Sequence, residues 1–254
     1  MEQAVAKLLD EAAAAPLKGW DFSWSAGRIT ISPLPWDYAA LAAGALHDAT
    51  TALDMGTGGG EFLDRFSVFP PRLVATESWP PNVPVAASRL GGRGVPVIHS
   101  EDAAENARQA GEGDRGRLPF CRAAFDLVLN RHEAFNAAEV ARVLAPGGRF
   151  LTQQAGSAPD QFHVLLGLRP PSRPAFDLDL LVSQVARAGL TVEDAETGRE
   201  VVRFADVGVL AWYLRMVPWA VPGFDMTRHR SALESVAGRD LVVYQERFLV
   251  SCYR

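Results

Sequence analysis

The chain has 254 residues, 48% of them hydrophobic, with a formal net charge of −5. This composition fits a globular protein with a substantial core and argues against a nucleic-acid partner, which asks for a basic face. The two cysteines, Cys121 and Cys252, lie far apart without metal-ligand spacing, so no metal is expected and a reduced, cytoplasmic setting is implied.

Met1 to Ala15 reads as a short amphipathic helix stopped by Pro16. It does not read as a signal peptide, because Glu2, Asp10 and Glu11 interrupt it. No apolar run anywhere reaches membrane-spanning length, so no membrane partner is expected. Residues 17–35, rich in Trp, Phe, Ser, Gly and Pro, predict an irregular arm, and Pro35 opens a helix over Trp36 to Leu46. Strands and helices then alternate: a strand near 50–55, a helix from 60, a strand near 72–77, a helix near 82–90 and a strand near 95–99. Residues 104–118 are polar and Gly-rich, which predicts a mobile loop. Phe125 to Asn130 is a continuous apolar strand, the pattern of a sheet covered on both faces. A helix over Glu139 to Leu144 and the turn Pro146-Gly147-Gly148 lead into a strand from Arg149 to Gln153.

Beyond residue 155 the pattern changes. A helix near 178–188 precedes a strand near 190–196, and 199–224 is unusually aromatic, with Phe204, Trp212, Tyr213, Trp219 and Phe224. The alternating stretch Leu241 to Cys252 predicts a last, antiparallel strand. The alternation implies an α/β fold with a mostly parallel sheet. We divide it into an N-terminal helical arm over 1–47, a ligand-binding core over 48–154, and a C-terminal half over 155–254 with a capping insertion, all one structural domain.

The most informative stretch is Ala52-Leu53-Asp54-Met55-Gly56-Thr57-Gly58-Gly59-Gly60-Glu61. An apolar strand ends in an acid and enters a G-x-G-x-G turn, where glycine permits positive φ and close approach of a ligand. At the carboxyl end of a parallel strand such a turn forms a nucleotide-sized crevice. Glu77 ends the next apolar run, and an acid about twenty residues past the turn suits two ribose hydroxyls while repelling a 2′-phosphate. Asp54 either organises the turn or touches the ligand.

The spacing of this turn, with an acid two residues ahead of it, resembles motif I of class I S-adenosylmethionine-dependent methyltransferases. Further along, His99-Ser100-Glu101-Asp102-Ala103 is similar to the family's adenine-contacting acid pair, Leu118-Pro119-Phe120 with Phe125-Asp126-Leu127-Val128 to its fourth strand, and Leu144-Ala145-Pro146-Gly147-Gly148 to its hairpin before strand five. The resemblance covers roughly residues 48–154. It implies a seven-stranded, Rossmann-like sheet with the last strand antiparallel, and S-adenosylmethionine as cofactor with S-adenosylhomocysteine as product. The cofactor contacts it implies are Asp54, Gly56, Thr57, Gly58, Gly60, Glu77, Ser78, Asp102, Ala103 and Asn130; Asp102 is preferred to Glu101 because it directly precedes Ala103.

The fourth strand ends in Asn130-Arg131-His132-Glu133, unlike the N-P-P-Y pattern of enzymes acting on exocyclic base nitrogens. Neither cysteine sits where C5-pyrimidine enzymes keep a nucleophile. Both departures favour a small-molecule acceptor over a nucleic acid or protein, although a fold that binds the cofactor without transferring methyl stays open. His132 follows a strand end facing the cofactor's reactive group and is either a general base or a loop residue held by Glu133. Trp20, Phe22, Trp212, Tyr213 and Trp219 are either pocket wall or plain core. Arg28, Arg131 and Arg203 are candidates for holding an acidic acceptor.

Overall fold

The computed structural model describes residues 2–17, 20–101, 116–156, 161–171 and 176–254. In chain order the N-terminal elements are α1 (Glu2–Ala14), β1 (Ile29–Ile31), α2 (Tyr38–Asp48), β2 (Thr51–Met55), β3 (Arg72–Glu77), α3 (Val83–Gly91) and β4 (Val97–His99). Then come β5 (Phe125–Arg131), α4 (Ala137–Val143), β6 (Leu144–Ala155), α5 (Gln161–Leu165) and α6 (Leu178–Arg187). The last are β7 (Thr191–Phe204), α7 (Val207–Met216), α8 (Arg230–Val236) and β8 (Leu241–Tyr253).

The chain forms two compact units, each assembled from three stretches. One comprises Met1–Leu34, Ser157–Arg173 and Arg199–Glu246; the other comprises Pro35–Gly156, Pro174–Gly198 and Arg247–Arg254. In the second unit the strand order is β7-β8-β6-β5-β2-β3-β4. Strands β6, β5, β2, β3 and β4 run parallel, and β8 joins β6 antiparallel. Leu53, Val128, Leu129, Phe150 and Leu151 are fully buried, as expected of strands covered on both faces. Register sets Met55 beside Asn130 and Asn130 beside Thr152, so β2 and β5 finish within a residue of each other and β6 runs on past them to Ala155.

In the first unit β1 pairs antiparallel with the end of β7, Ile29 to Ile31 against Phe204 to Val202. The described residues therefore hold eight strands rather than seven. The extra one lies within the stretch read as an irregular arm, where Ile-Thr-Ile has strand propensity but only three residues to show it. The core of this unit is a cluster around Leu9, Trp212, Leu210, Leu214 and Leu233. α1 packs closely on α7: a Cβ on Gly208 would lie 2.6 Å from the Leu8 carbonyl oxygen. Arg215 donates to the carbonyls of Ala12 and Ala15 at the end of α1, and Trp212 Nε1 donates to Pro16 O at 3.3 Å.

Two expected elements differ. The helix from residue 60 reduces to a 3-10 turn over Leu63–Arg65, because Gly60 has φ +81° and Pro70-Pro71 forces extended backbone soon after. The helix expected from Trp36 begins instead at Tyr38, because Asp37 is its N-cap and its carboxylate accepts from Ala40 N at 3.0 Å. Among the described residues no helix is long and apolar enough to cross a membrane.

Candidate functional site

The glycine turn after β2 is left-handed at three positions: Gly56 at φ +66°, Gly58 at +64° and Gly60 at +81°. A side chain would strain each of them. At Gly56 a Cβ would also lie 2.5 Å from the Glu133 Cβ, so the missing side chain lets the segment after β5 close against the turn.

Glu77 holds the turn from the neighbouring strand. Its carboxylate is 4% exposed; Oε2 accepts from Gly58 N at 2.7 Å and Oε1 from Trp79 N at 2.9 Å. Thr57 N donates to Thr76 O at 2.9 Å, a second tie between the turn and β3. Asp54, 4% exposed at the end of β2, is pushed up to about 7 by burial. The charge on Glu77 pushes the same way and that of Arg131 opposes it. Ser78 is half-buried, and its carbonyl lies 3.1 Å from His99 Nε2. Asp102 and Ala103 lie outside the described residues. A narrow crevice opens at these strand ends, lined by Met55, Thr76, Ser100, Glu101, Leu118 and Phe135.

At the end of β5, Asn130 is fully buried. Its Oδ1 accepts from Thr152 Oγ1 at 3.0 Å and from Gln154 Nε2, while its Nδ2 has no partner among the described residues. An unpaired buried donor is costly unless something supplies an acceptor. Beneath it the buried Tyr38 hydroxyl donates to the carbonyls of Asn130 (3.0 Å) and Leu151 (3.3 Å), and burial pushes its pKa up.

His132 has φ +68°, a left-handed conformation uncommon for a residue with a side chain and a mark of functional or strained positions. Its N donates to Gln153 O at 2.8 Å, and its Nε2 lies 3.2 Å from Gln153 Nε2. The residue is accessible to solvent yet set among densely packed chain. Desolvation first, then the charges of Arg247 and Arg131, hold its pKa well below the ordinary value. Gln153 in turn accepts from Trp36 Nε1 at 2.8 Å through Oε1.

Several of these residues were not among the expected site residues: Trp36, Tyr38 and the run Thr152-Gln153-Gln154. Three successive polar residues directly after the apolar pair Phe150-Leu151 of a strand were the available signal. All three are buried, at 0%, 4% and 2% exposure.

The aromatic residues expected at the acceptor belong to the first unit. Trp20 stacks on Phe22 with centroids 6.0 Å apart and meets Trp219 edge-on at 5.3 Å, and Phe22 meets Trp212 at 5.6 Å and Tyr213 at 6.2 Å. Trp212 is fully buried, Trp20, Phe22 and Tyr213 half-buried, and Trp219 is 56% exposed. Arg28 pairs with Asp206 at 2.8 Å, Arg203 with Asp240 at 3.5 Å, and the Arg131 guanidinium lies 4.7 Å over the Phe62 ring. Among the described residues no group of three or more His, Cys, Asp or Glu side chains is placed to hold a metal ion.

Residues 53–152 match the family model described as a methyltransferase domain. No curated protein sequence matches the chain. Among solved structures, a Bacillus halodurans protein provisionally described as a methyltransferase superposes with a TM-score of 0.58 at 21% identity, covering 85% of this chain and 98% of that one. The YcgJ protein of Bacillus subtilis gives 0.58 at 18% identity, covering 85% and 97%. A Deinococcus radiodurans protein of unknown function gives 0.56 at 15%, covering 89% and 90%. At these identities the structures speak for the fold. Residues 53–152 thus match a methyltransferase domain, and the fold is one shared with these structures.

Proposed function

We propose that this chain, whose residues 53–152 match a methyltransferase domain, transfers a methyl group from S-adenosylmethionine to an oxygen, nitrogen or carbon nucleophile of a small molecule. The observation that carries this reading is the clasp between Glu77 and Gly58 at neighbouring strand ends. A carboxylate at that place is the kind of acceptor that two ribose hydroxyls need, and the left-handed glycine turn brings backbone without side chains to a nucleoside.

The residues present fit the cofactor. Gly56, Thr57, Gly58 and Gly60 would lie along it, Glu77 and Ser78 at its ribose, and Asp54 would stiffen the turn. The unpartnered Asn130 Nδ2 suits an acceptor oxygen on its amino-acid end. When bound, the cofactor supplies a sulfonium-activated methyl group. The chain then has to orient the nucleophile in line and exclude water. His132 and Glu133 stand on the acceptor side of this arrangement. The net charge of −5 supports a small molecule over a nucleic acid.

The test is formation of S-adenosylhomocysteine with a panel of small acceptors. Gly58→Val serves as the control: it stays folded but loses cofactor binding, because valine at φ +64° is strained and would occupy ligand volume. Cofactor binding without product on any acceptor class would favour a non-transferring fold.

A further inference from the structure

We infer that Gln153, held in one orientation by Trp36, fixes His132 as a neutral imidazole with its proton on Nδ1, so that His132 acts as a hydrogen-bond donor rather than a proton acceptor. The tautomer assignment stands on geometry alone. The donor role toward an acceptor molecule rests on the methyl-transfer reading above.

The argument starts at the indole. Trp Nε1–H can only donate, and Trp36 Nε1 lies 2.8 Å from one terminal atom of Gln153. That atom must be the carbonyl oxygen, because an amide nitrogen there would oppose two donors. The other terminal atom of Gln153 is then the NH2 group, and it lies 3.2 Å from His132 Nε2. An NH2 group can only donate, so His132 Nε2 must accept and carries no proton. In a neutral ring the remaining proton is on Nδ1. Protonating Nε2 would set donor against donor and would add a cation near those of Arg131 and Arg247. The neighbouring carboxylate, Glu133, has its Cβ and Cγ packed at Gly56.

The backbone makes the arrangement more rigid. His132 N donates to Gln153 O at 2.8 Å, so one residue of β6 grips both the main chain and the ring of His132. That grip accompanies the left-handed φ of +68°, which needs surrounding structure to maintain it. Gln153 is therefore a positioning residue. Because its amide occupies the Nε2 lone pair, the group left to an acceptor molecule is Nδ1–H. Nucleophiles that arrive already deprotonated, or that have a low pKa, suit such a site; an alcohol needing a base does not.

The test is long-range 1H–15N spectroscopy of the imidazoles in the intact protein, with the His132 signals assigned by their loss in His132→Gln. The expected result is a protonated Nδ1 and a bare Nε2, unchanged through the range in which an ordinary imidazole titrates. Trp36→Phe frees the amide to turn, so the Nε2–H form and a titration near about 6.5 should appear. Should that variant fold poorly, Gln153→Glu gives the second reading. A carboxylate accepts from both Trp36 Nε1–H and His132 Nε2–H, so the proton should move to Nε2 and the pKa should rise by at least about one unit. A wild-type Nε2–H tautomer, or ordinary titration in the wild type, overturns the inference. So does a tautomer unmoved by either variant. All these readouts are independent of turnover, so failure of the methyl-transfer reading would leave them interpretable.

Discussion

At the scale of single residues, the site rests on two buried carboxylates with different duties. Glu77 accepts from the backbone N–H groups of Gly58 and Trp79. Glu77→Ala removes the bonds to Gly58 and Trp79 as well as those proposed to the ribose, and should weaken S-adenosylhomocysteine binding by about 2–4 kcal/mol in calorimetry. Unchanged affinity would remove Glu77 from the cofactor site. Asp54 is a carboxyl raised to about 7 by burial. Between its unfolded value near 3.8 and about 7, the folded state holds more protons than the unfolded one, so this group makes stability fall as pH rises through that window. Asp54→Asn cannot lose a proton. Relative to wild type it should gain up to about 4 kcal/mol between pH 4 and pH 7, measured by urea unfolding at each pH. A constant difference would show that Asp54 ionises normally. That the glycine turn and Glu77 sit together at neighbouring strand ends was legible in the sequence, because spacing after a strand sets it. The hold on His132 was not: Trp36 and Gln153 are 117 positions apart, and only the fold brings an indole to that amide.

At the scale of elements, the parallel strands were readable and α7 was not. β2, β3 and β5 begin and end within a residue or so of where the apolar runs place them. α7 has no polar face to reveal a period. Eight of its ten residues are buried, so the stretch reads simply as apolar and aromatic. What it packs against explains this. Gly208 lets the α1 backbone approach, and Arg215 satisfies carbonyls at the end of α1 that the helix itself cannot. Gly208→Ala places a methyl group against the Leu8 carbonyl. It should lower stability by about 1–3 kcal/mol, the usual cost of overpacking, and calorimetric melting of the full chain is the check. A neutral or stabilising alanine would mean that α1 shifts freely along α7.

For the whole molecule, the ligand itself becomes a stability probe. S-adenosylhomocysteine at one hundred times its dissociation constant should stabilise the folded chain by about 2.7 kcal/mol. NADPH should do nothing, since Glu77 would face its 2′-phosphate. Thermal shifts with the two ligands separate these outcomes, and stabilisation by NADPH would contradict the cofactor assignment. The match to a methyltransferase domain was legible because it is contiguous, from 53 to 152. The first unit was not, because its core gathers Leu9, Phe162, Val202, Trp212 and Leu233 from three distant stretches.

The bond from Arg215 to the Ala15 carbonyl closes a span of 200 positions. At about 5–20 residues per second, α1 leaves the ribosome roughly 10–40 s before the helix that covers it has been made. Throughout that interval Leu9 and Ala12, which end up buried, have no α7 to pack against. The apolar face of α1 is thus an early product of synthesis with a late partner. A chain stalled anywhere before Val207 would present that face to chaperones or to other nascent chains, whereas the finished protein does not.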